Sequence, residues 1–175
     1  MTFMDSLIIE TATLDHLEQL QKLSITTFTE TFAEVNTAEN LQKYLDKSFN
    51  KEQLTAELND KNSHFFIAFL NEIPVGYAKI NVNTAQTEQH NLDAMELHRI
   101  YVLQEFHGKK VAQKLFEKVL QIAQEKEVTQ LWLGVWEENK RALQFYKNNG
   151  FTVFDQHDFW MGDDKQTDLL LQRTP

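Results

Sequence analysis

Between Met95 and Glu125 the hydrophobic spacing changes from every second residue to every third or fourth, a switch from strand to helix. Strand periodicity covers Met95–Val102, a short turn carries Gly108, and Val111, Leu115, Val119 and Ile122 then share one helical face. The spacing predicts a helix from Gly108 to about Glu125. A strand that feeds directly into a helix start leaves backbone N–H groups unpaired and aimed at one spot. The helix dipole favours negative charge at that spot, so the turn is suited to a phosphate or diphosphate. From His107 to Lys118 there are four lysines (Lys109, Lys110, Lys114, Lys118) and one acid, Glu117, in a chain of net charge -9. Lysines in a first helical turn oppose the dipole unless an anion sits nearby. The plainer alternative is that they are simply solvated.

With 175 residues and ordinary apolar content, a single domain spanning 1–175 is expected, long enough to bury a core. No apolar run of transmembrane length and no charged-then-apolar leader occurs, and cysteine is absent. Disulfide and thiolate chemistry are therefore excluded, and a cytoplasmic location with no membrane partner is expected. A pI near 5.1 argues against nucleic-acid binding, which needs a basic face. It suits a small cationic substrate.

Two prolines and five glycines leave little room for a linker, and no repeat appears. Strands are expected at Leu7–Thr11, Ser63–Leu70, Val75–Val82, Met95–Val102, Leu131–Trp136 and Phe151–Trp160, with Gln166–Gln172 closing the sheet. Helical spacing covers Leu14–Phe32, and Thr37 and Asn50 can cap two further helices. Asn83–Asp93 reads as a loop. A further helix runs Asn139–Asn149, with Asn139 as N-cap and Gly150 as stop. The order implies a mixed α/β sheet. Asn139 and Tyr146 lie seven apart, on one helix face. A cap and an amphipathic core residue explain them equally well.

Together the two blocks resemble the GNAT superfamily of acetyl-CoA-dependent N-acetyltransferases. The family's coenzyme motif is a strand followed by [Gln/Arg]-x-x-Gly-x-[Gly/Ala] at a helix start. The six matching positions are His107, Gly108, Lys109, Lys110, Val111 and Ala112. Ala112 fits the pattern, whereas His107 and Lys110 depart from it. Asn139 and Tyr146 fall on the family's coenzyme-contacting asparagine and proton-donating tyrosine, and "ALQFYKNNGF" is close to the usual end of that helix. The resemblance implies a GNAT-like fold of about seven strands with a central splayed pair and flanking helices. It also implies acetyl-CoA as co-substrate, bound by Ile100, Tyr101, Val102, the turn from His107 to Gln113, Asn139 and Tyr146. "TFTETFAEVNTAENLQKYLDKSF", "RIYVLQEF" and "GDDKQTDLLL" are similar to the PaiA-type branch, whose members acetylate polyamines such as spermidine and spermine.

Amide formation from a thioester requires an unprotonated amine. For a lysine-like ammonium this costs about 4–5 kcal/mol at neutral pH. It also requires donors for the developing oxyanion and a proton for the leaving thiolate. The resemblance implies that strand Ile100–Val102 splays from Leu131–Val135, so that the pantetheine arm pairs with the exposed edge and the Val102 N–H serves the oxyanion. Tyr146 is the expected general acid. Some protein N-terminal acetyltransferases carry a glutamate where this chain has Gly134, so the base is sought elsewhere: Glu96 first, His98 second. Glu30 and Glu34, four apart on the first long helix, and Asp163 and Asp164, with Asp168 nearby, are expected to hold a polyamine's distal ammonium groups. A solvated acidic surface is the alternative. The histidines show no ligand spacing, so no metal site is expected. The exposed splayed edge also allows a homodimer.

The expected function is acetyl transfer to a primary amine of a small cation in a ternary complex. The alternatives are a protein or peptide amine acetyltransferase and a non-catalytic acyl-CoA-binding regulatory module.

Overall fold

Phe65, Ile67 and Phe69 alternate along one strand with Phe66 and Ala68, and all five are buried. A strand apolar on both sides must be covered on both sides. That strand, β2 (Ser63–Leu70), lies within a seven-stranded sheet. The computed structural model describes residues 6–91 and 93–175, so Leu92 of the expected loop lies outside the described residues. The other strands are β1 (Leu7–Thr11), β3 (Ile73–Val82), β4 (Ala94–Val102), β5 (Gln130–Trp136), β6 (Thr152–Met161) and β7 (Asp164–Arg173). The helices are α1 (Leu17–Phe32), α2 (Ala38–Ser48), α3 (Lys51–Asn59), α4 (Val111–Glu125) and α5 (Lys140–Asn148).

The strand order is β1-β2-β3-β4-β5-β7-β6. Neighbours are antiparallel except β4 and β5, which run parallel. The mixed α/β sheet expected from the sequence is thus present. One face carries α4 and α5, with Val111, Leu115, Phe116, Val119 and Tyr146 packed on Phe66, Ala78, Ile80, Met95 and Leu133. The other carries α1–α3, with Leu20, Phe28, Leu45 and Leu54 on Phe65, Ile67 and Tyr77. Thr37 caps α2 by accepting from Asn40 N–H, and Asn50 caps α3 by accepting from Gln53 N–H. Among the described residues, no helix is long and apolar enough to cross a membrane.

The structure corrects the sequence reading at several places. β7 does not close the sheet but lies between β5 and β6, and β6 is the edge. The reason is burial. Leu170 and Leu171 of β7 are covered, whereas Val153 and Trp160 of β6 are more than half exposed. β3 begins at Ile73 rather than Val75, because Asn71 and Glu72 both take positive φ (49° and 67°) and form a two-residue turn whose twist matches the strands. α4 begins at Val111, not Gly108. Lys110 before it takes φ 63°, so Lys109 and Lys110 precede the helix rather than sit in its first turn. α1 ends at Phe32, which leaves Glu34 beyond it, so Glu30 and Glu34 do not share a helical face.

Two irregularities in β4 open the centre of the sheet. In the pairing with β3, Leu97 faces Ile80 and Arg99 faces Lys79, so His98 is an extra residue. Such a bulge reverses the strand's alternation beyond it. Met95 and Leu97 face α4, and after the bulge so do Ile100 and Val102, while Tyr101 joins the opposite core. Beyond Glu96 and Trp132, β4 and β5 no longer pair. Gly76 permits the close approach of β3 on the other side, since a Cβ there would lie 2.9 Å from the Tyr101 carbonyl oxygen.

The bulge is held by a buried ion cluster. Glu57 of α3 accepts from Arg99 Nη1 at 2.8 Å and Nη2 at 3.3 Å, and pairs with Lys79 Nζ at 3.1 Å. Burial works against the Glu57 carboxylate, but Arg99 and Lys79 outweigh it and hold Glu57 below its usual range. Burial and Arg99 bring Lys79 down to about 8. Removing one partner of such a cluster strands the other charges in a low dielectric. Glu57→Gln is therefore expected to lower the unfolding free energy by about 3–5 kcal/mol, read by urea denaturation. An unchanged midpoint would show that water reaches the two cations.

Candidate functional site

Where β4 and β5 separate, the edge of β4 is free to take a partner. Leu103 N–H donates to Val75 O at 2.9 Å, so by strand alternation the N–H and C=O of Ile100 and Val102 face the gap, not β3. His107 Nε2 lies 2.8 Å from Val102 O, and its other ring nitrogen, Nδ1, is contacted by Arg141 Nη1 of α5. The consistent protonation has Nε2–H donating to Val102 O and Nδ1 accepting from Arg141. The gap is left with Val102 N–H and both polar groups of Ile100.

On one side of the gap lies a cavity of about 580 Å³ lined by Val102, Phe106, His107, Gly108, Lys110, Ala112, Gln113, Lys114, Glu117, Arg141 and Phe145. It sits over the start of α4, which has no side-chain cap and no acid in its first turn. The first-turn N–H groups and the dipole therefore point at this space. Lys110, at the motif's middle glycine position, supplies the positive φ (63°) that the turn needs, and Gly108 supplies another (75°). Val111 is buried in the core and its side chain does not line the cavity. Gln113 donates to Asn149 Oδ1, and Lys114 pairs with Glu117 at 3.0 Å. Lys109 lies over the Phe106 ring, 4.9 Å from its centroid. Arg141 was not singled out from the sequence, because its partner His107 lies 34 residues away and only the packing of α5 beside the turn joins them.

On the other side lies a cavity of about 290 Å³. Its aromatic wall comes from α1, α2 with the residue that ends it, and the strands: Phe28, Tyr44, Phe49, Tyr101, Trp136 and Phe159. Its polar groups are Thr87, Glu96, His98, Arg99, Asn139, Tyr146, His157 and Asp168. Asn139 caps α5 by accepting from Ala142 N–H, which leaves its Nδ2 for a ligand. Tyr146 packs against Phe145 and Phe151, and burial pushes its phenol well up from the usual value. Glu96 is buried and accepts from Asn81 Nδ2 at 3.1 Å, Thr87 N–H at 2.8 Å and Thr87 Oγ1 at 2.6 Å. Burial, Arg99 and Lys79 hold His98 well below its usual value, so it is neutral.

This two-sided arrangement suits acyl transfer from a long thioester that enters past an anion site. The sequence model of the Acetyltransferase (GNAT) family matches residues 17–151. The chain belongs to the GNAT family. As a GNAT member it is an acetyl-CoA-dependent N-acetyltransferase. An uncharacterized N-acetyltransferase of Lactobacillus delbrueckii subsp. lactis is 36% identical over 157 residues, 90% of this chain and 91% of that protein. A spermidine N(1)-acetyltransferase of Thermoplasma acidophilum is 24% identical over 154 residues, 86% of this chain and 91% of the relative. The crystal structure of a PaiA N-acetyltransferase from Thermoplasma acidophilum in complex with coenzyme A superposes with a TM-score of 0.81 at 22% identity, over 97% of this chain and 99% of that one.

Within this GNAT fold, the four acids expected at the substrate are not brought together. Glu30 accepts from Gln104 N–H at 2.9 Å, which caps the short turn after β4. Glu34 is exposed beyond α1. Asp163 accepts from Asn40 Nδ2 at 2.8 Å and Asp164 from Gln166 Nε2 at 2.8 Å, in the hairpin between β6 and β7. None of these four lines the aromatic cavity. Asp168, four residues beyond Asp164, does. Asp164 and Asp168 share a face of β7, so position along the strand, with Asp164 at the hairpin and Asp168 beside β5 at Trp136, decides this, and it is not visible in a cluster of acids.

Lys110 offers a test of the turn. A left-handed conformation costs a residue with a Cβ about 1–2 kcal/mol relative to glycine's free access. Lys110→Gly is expected to raise unfolding stability by about 1 kcal/mol and to weaken coenzyme A binding, measured by calorimetry. Unchanged affinity would show that the turn's backbone alone holds the ligand.

Proposed function

We propose that this enzyme acetylates a primary amine of a small cationic substrate of the polyamine class. The observation that carries the reading is the small cavity beyond the splayed strands. Its walls are aromatic faces, which attract ammonium groups, and its floor holds the carboxylates Glu96 and Asp168. At about 290 Å³ it accommodates a narrow alkylamine rather than a folded protein segment. The net charge of -9 raises the local concentration of such cations. The similarity to a spermidine N(1)-acetyltransferase supports the same class.

In this reading the amides at the start of α4, with Lys110, Lys114 and Arg141, hold the diphosphate of coenzyme A. Ile100 pairs with the pantetheine arm. The Val102 N–H, left free by the bond of His107 to the carbonyl, faces the developing oxyanion. Asn139 Nδ2 holds the arm from the α5 side. Holding thioester and amine on opposite sides of one gap supplies a large part of the rate enhancement. Tyr146 donates the proton to the departing thiolate. Its raised pKa keeps the phenol protonated at the working pH, and the same dry surroundings destabilise the thiolate and so strengthen its pull on that proton. Glu96 holds its loop through Thr87 and lines the amine path.

Tyr146→Phe is expected to lower kcat by about 10²-fold or more while coenzyme A affinity stays within twofold. A wild-type kcat in that variant would remove Tyr146 from the mechanism. Thiol release measured with spermidine, spermine, lysine and short peptides tests the substrate class. Higher kcat/KM for peptides than for polyamines would overturn it.

A further inference from the structure

Gly134 stands where some protein N-terminal acetyltransferases carry a glutamate, and the structure shows what occupies the space beside it. A Cβ at Gly134 would lie 3.5 Å from Asp168 Oδ2 and 3.8 Å from His157 Nε2. Both side chains line the amine cavity. They arrive from β7 and β6, where His157 and Asp168 are register partners across the antiparallel pair. His157 Nε2 lies 3.5 Å from Asp168 Oδ2. Its Nδ1 is in close contact with Glu88 Oε1, from the loop between β3 and β4. That loop is pinned from below, because Thr87 donates to Glu96 through N–H and Oγ1. Gln86 Oε1 in turn accepts from Trp132 Nε1 at 2.8 Å.

We propose that His157, oriented by Glu88 and flanked by Asp168, is the general base that deprotonates the substrate ammonium. Glu88 accepts Nδ1–H, which fixes the tautomer and leaves the Nε2 lone pair facing the cavity beside Gly134. Asp168 holds the ammonium next to it. Burial raises the Asp168 carboxyl from its usual value while His157 opposes the rise, so a cation there is well placed to satisfy it. The ammonium gives one proton to Nε2, and the imidazolium then has a carboxylate at each ring nitrogen. The freed amine lone pair forms the new C–N bond at the thioester carbonyl. The C–S bond breaks with its electron pair leaving on sulfur, and Tyr146 Oη–H protonates that sulfur. The nitrogen's second proton restores Tyr146, and the imidazolium releases its own to solvent.

The charged and titratable groups that face His157 are Glu88 from the loop, with His90 Nε2 3.5 Å from the other oxygen of Glu88, and Asp168 from β7. Glu96, His98, Arg99 and Tyr146 line the same cavity. His98 is a poorer acceptor, since its surroundings hold it well below the usual histidine value. Glu96 already accepts from three donors.

The inference rests on the amine-acetyltransferase reading, and its test separates the two. In His157→Ala, kcat/KM for the best amine is expected to fall by on the order of 10²–10⁴-fold, with coenzyme A affinity and thermal midpoint unchanged. Added imidazole should restore part of the rate, which a merely structural histidine would not allow. Imidazole ¹⁵N shifts of the intact wild-type protein should show His157 protonated on Nδ1 in its neutral form, and Glu88→Gln should alter them. A His157→Ala enzyme within twofold of wild type, or a neutral His157 protonated on Nε2, overturns the proposal even where the wild type is an active amine acetyltransferase. A wild type that acetylates no amine at all overturns the substrate reading and this proposal with it.

Discussion

One extra residue in β4 shapes the centre of this protein. Without His98 in the strand, the alternation set by Met95 and Leu97 would carry Arg99 and Tyr101 to the α4 face. With it, Ile100 and Val102 take that face, Tyr101 joins the aromatic wall, and Arg99 turns to meet Glu57. A bulge costs ladder hydrogen bonds and bends its strand, and here β4 leaves β5 just before it, after Glu96. The buried Glu57–Arg99–Lys79 cluster holds that shape, and Arg99 also lines the cavity. Interior ion clusters add little net stability, and this one serves to keep the bulge and the divergence in a single arrangement.

Every other part of the site uses that divergence. The β4 edge offers backbone groups only because no strand pairs with it. The start of α4 is next to the edge because the turn after Val102 is short, and α5 faces it because β5 delivers Asn139 at the far side of the gap. His107 takes the Val102 carbonyl and touches Arg141, so it ties the anion cavity, the strand edge and α5 into one unit. The departure from the family's Gln or Arg at this position does not remove a polar side chain from the turn, since an imidazole with two usable nitrogens bridges the same elements. Lys110 likewise takes the conformation that a glycine takes more readily.

The acid–base groups come from parts of the chain with little to connect them in sequence. Glu96 is on a central strand, Glu88 on a loop, His157 on an edge strand and Asp168 on its inner neighbour. Gly134 is the point that His157 and Asp168 share, and its missing side chain leaves room beside them. Carboxylates are numerous in this chain, and several are committed to structural bonds, as with Glu30 at the turn after β4 and Asp163 at Asn40.

Local chemistry was enough to read the elements and the two motif blocks. Periodicity located β2, β4, α4 and α5, and side-chain caps at Thr37, Asn50 and Asn139 marked helix starts, because each of these depends on residues within a few positions of one another. The family resemblance followed from the same local strings, since the turn from His107 to Ala112 and the pair Asn139 and Tyr146 each lie in one continuous stretch. Tertiary structure alone decided that β7 lies inside β6, that α4 begins after a left-handed Lys110, and that Glu30, Glu34, Asp163 and Asp164 lie away from the cavity. It alone joined His107 to Arg141, Glu57 to Arg99, and Glu88 and Asp168 to His157. All but the pairing of Asp168 with His157 span tens of residues, and they depend on strand order and on one bulge. A single inserted residue reverses every side chain beyond it, and composition or spacing along the chain carries no record of which strand becomes its neighbour.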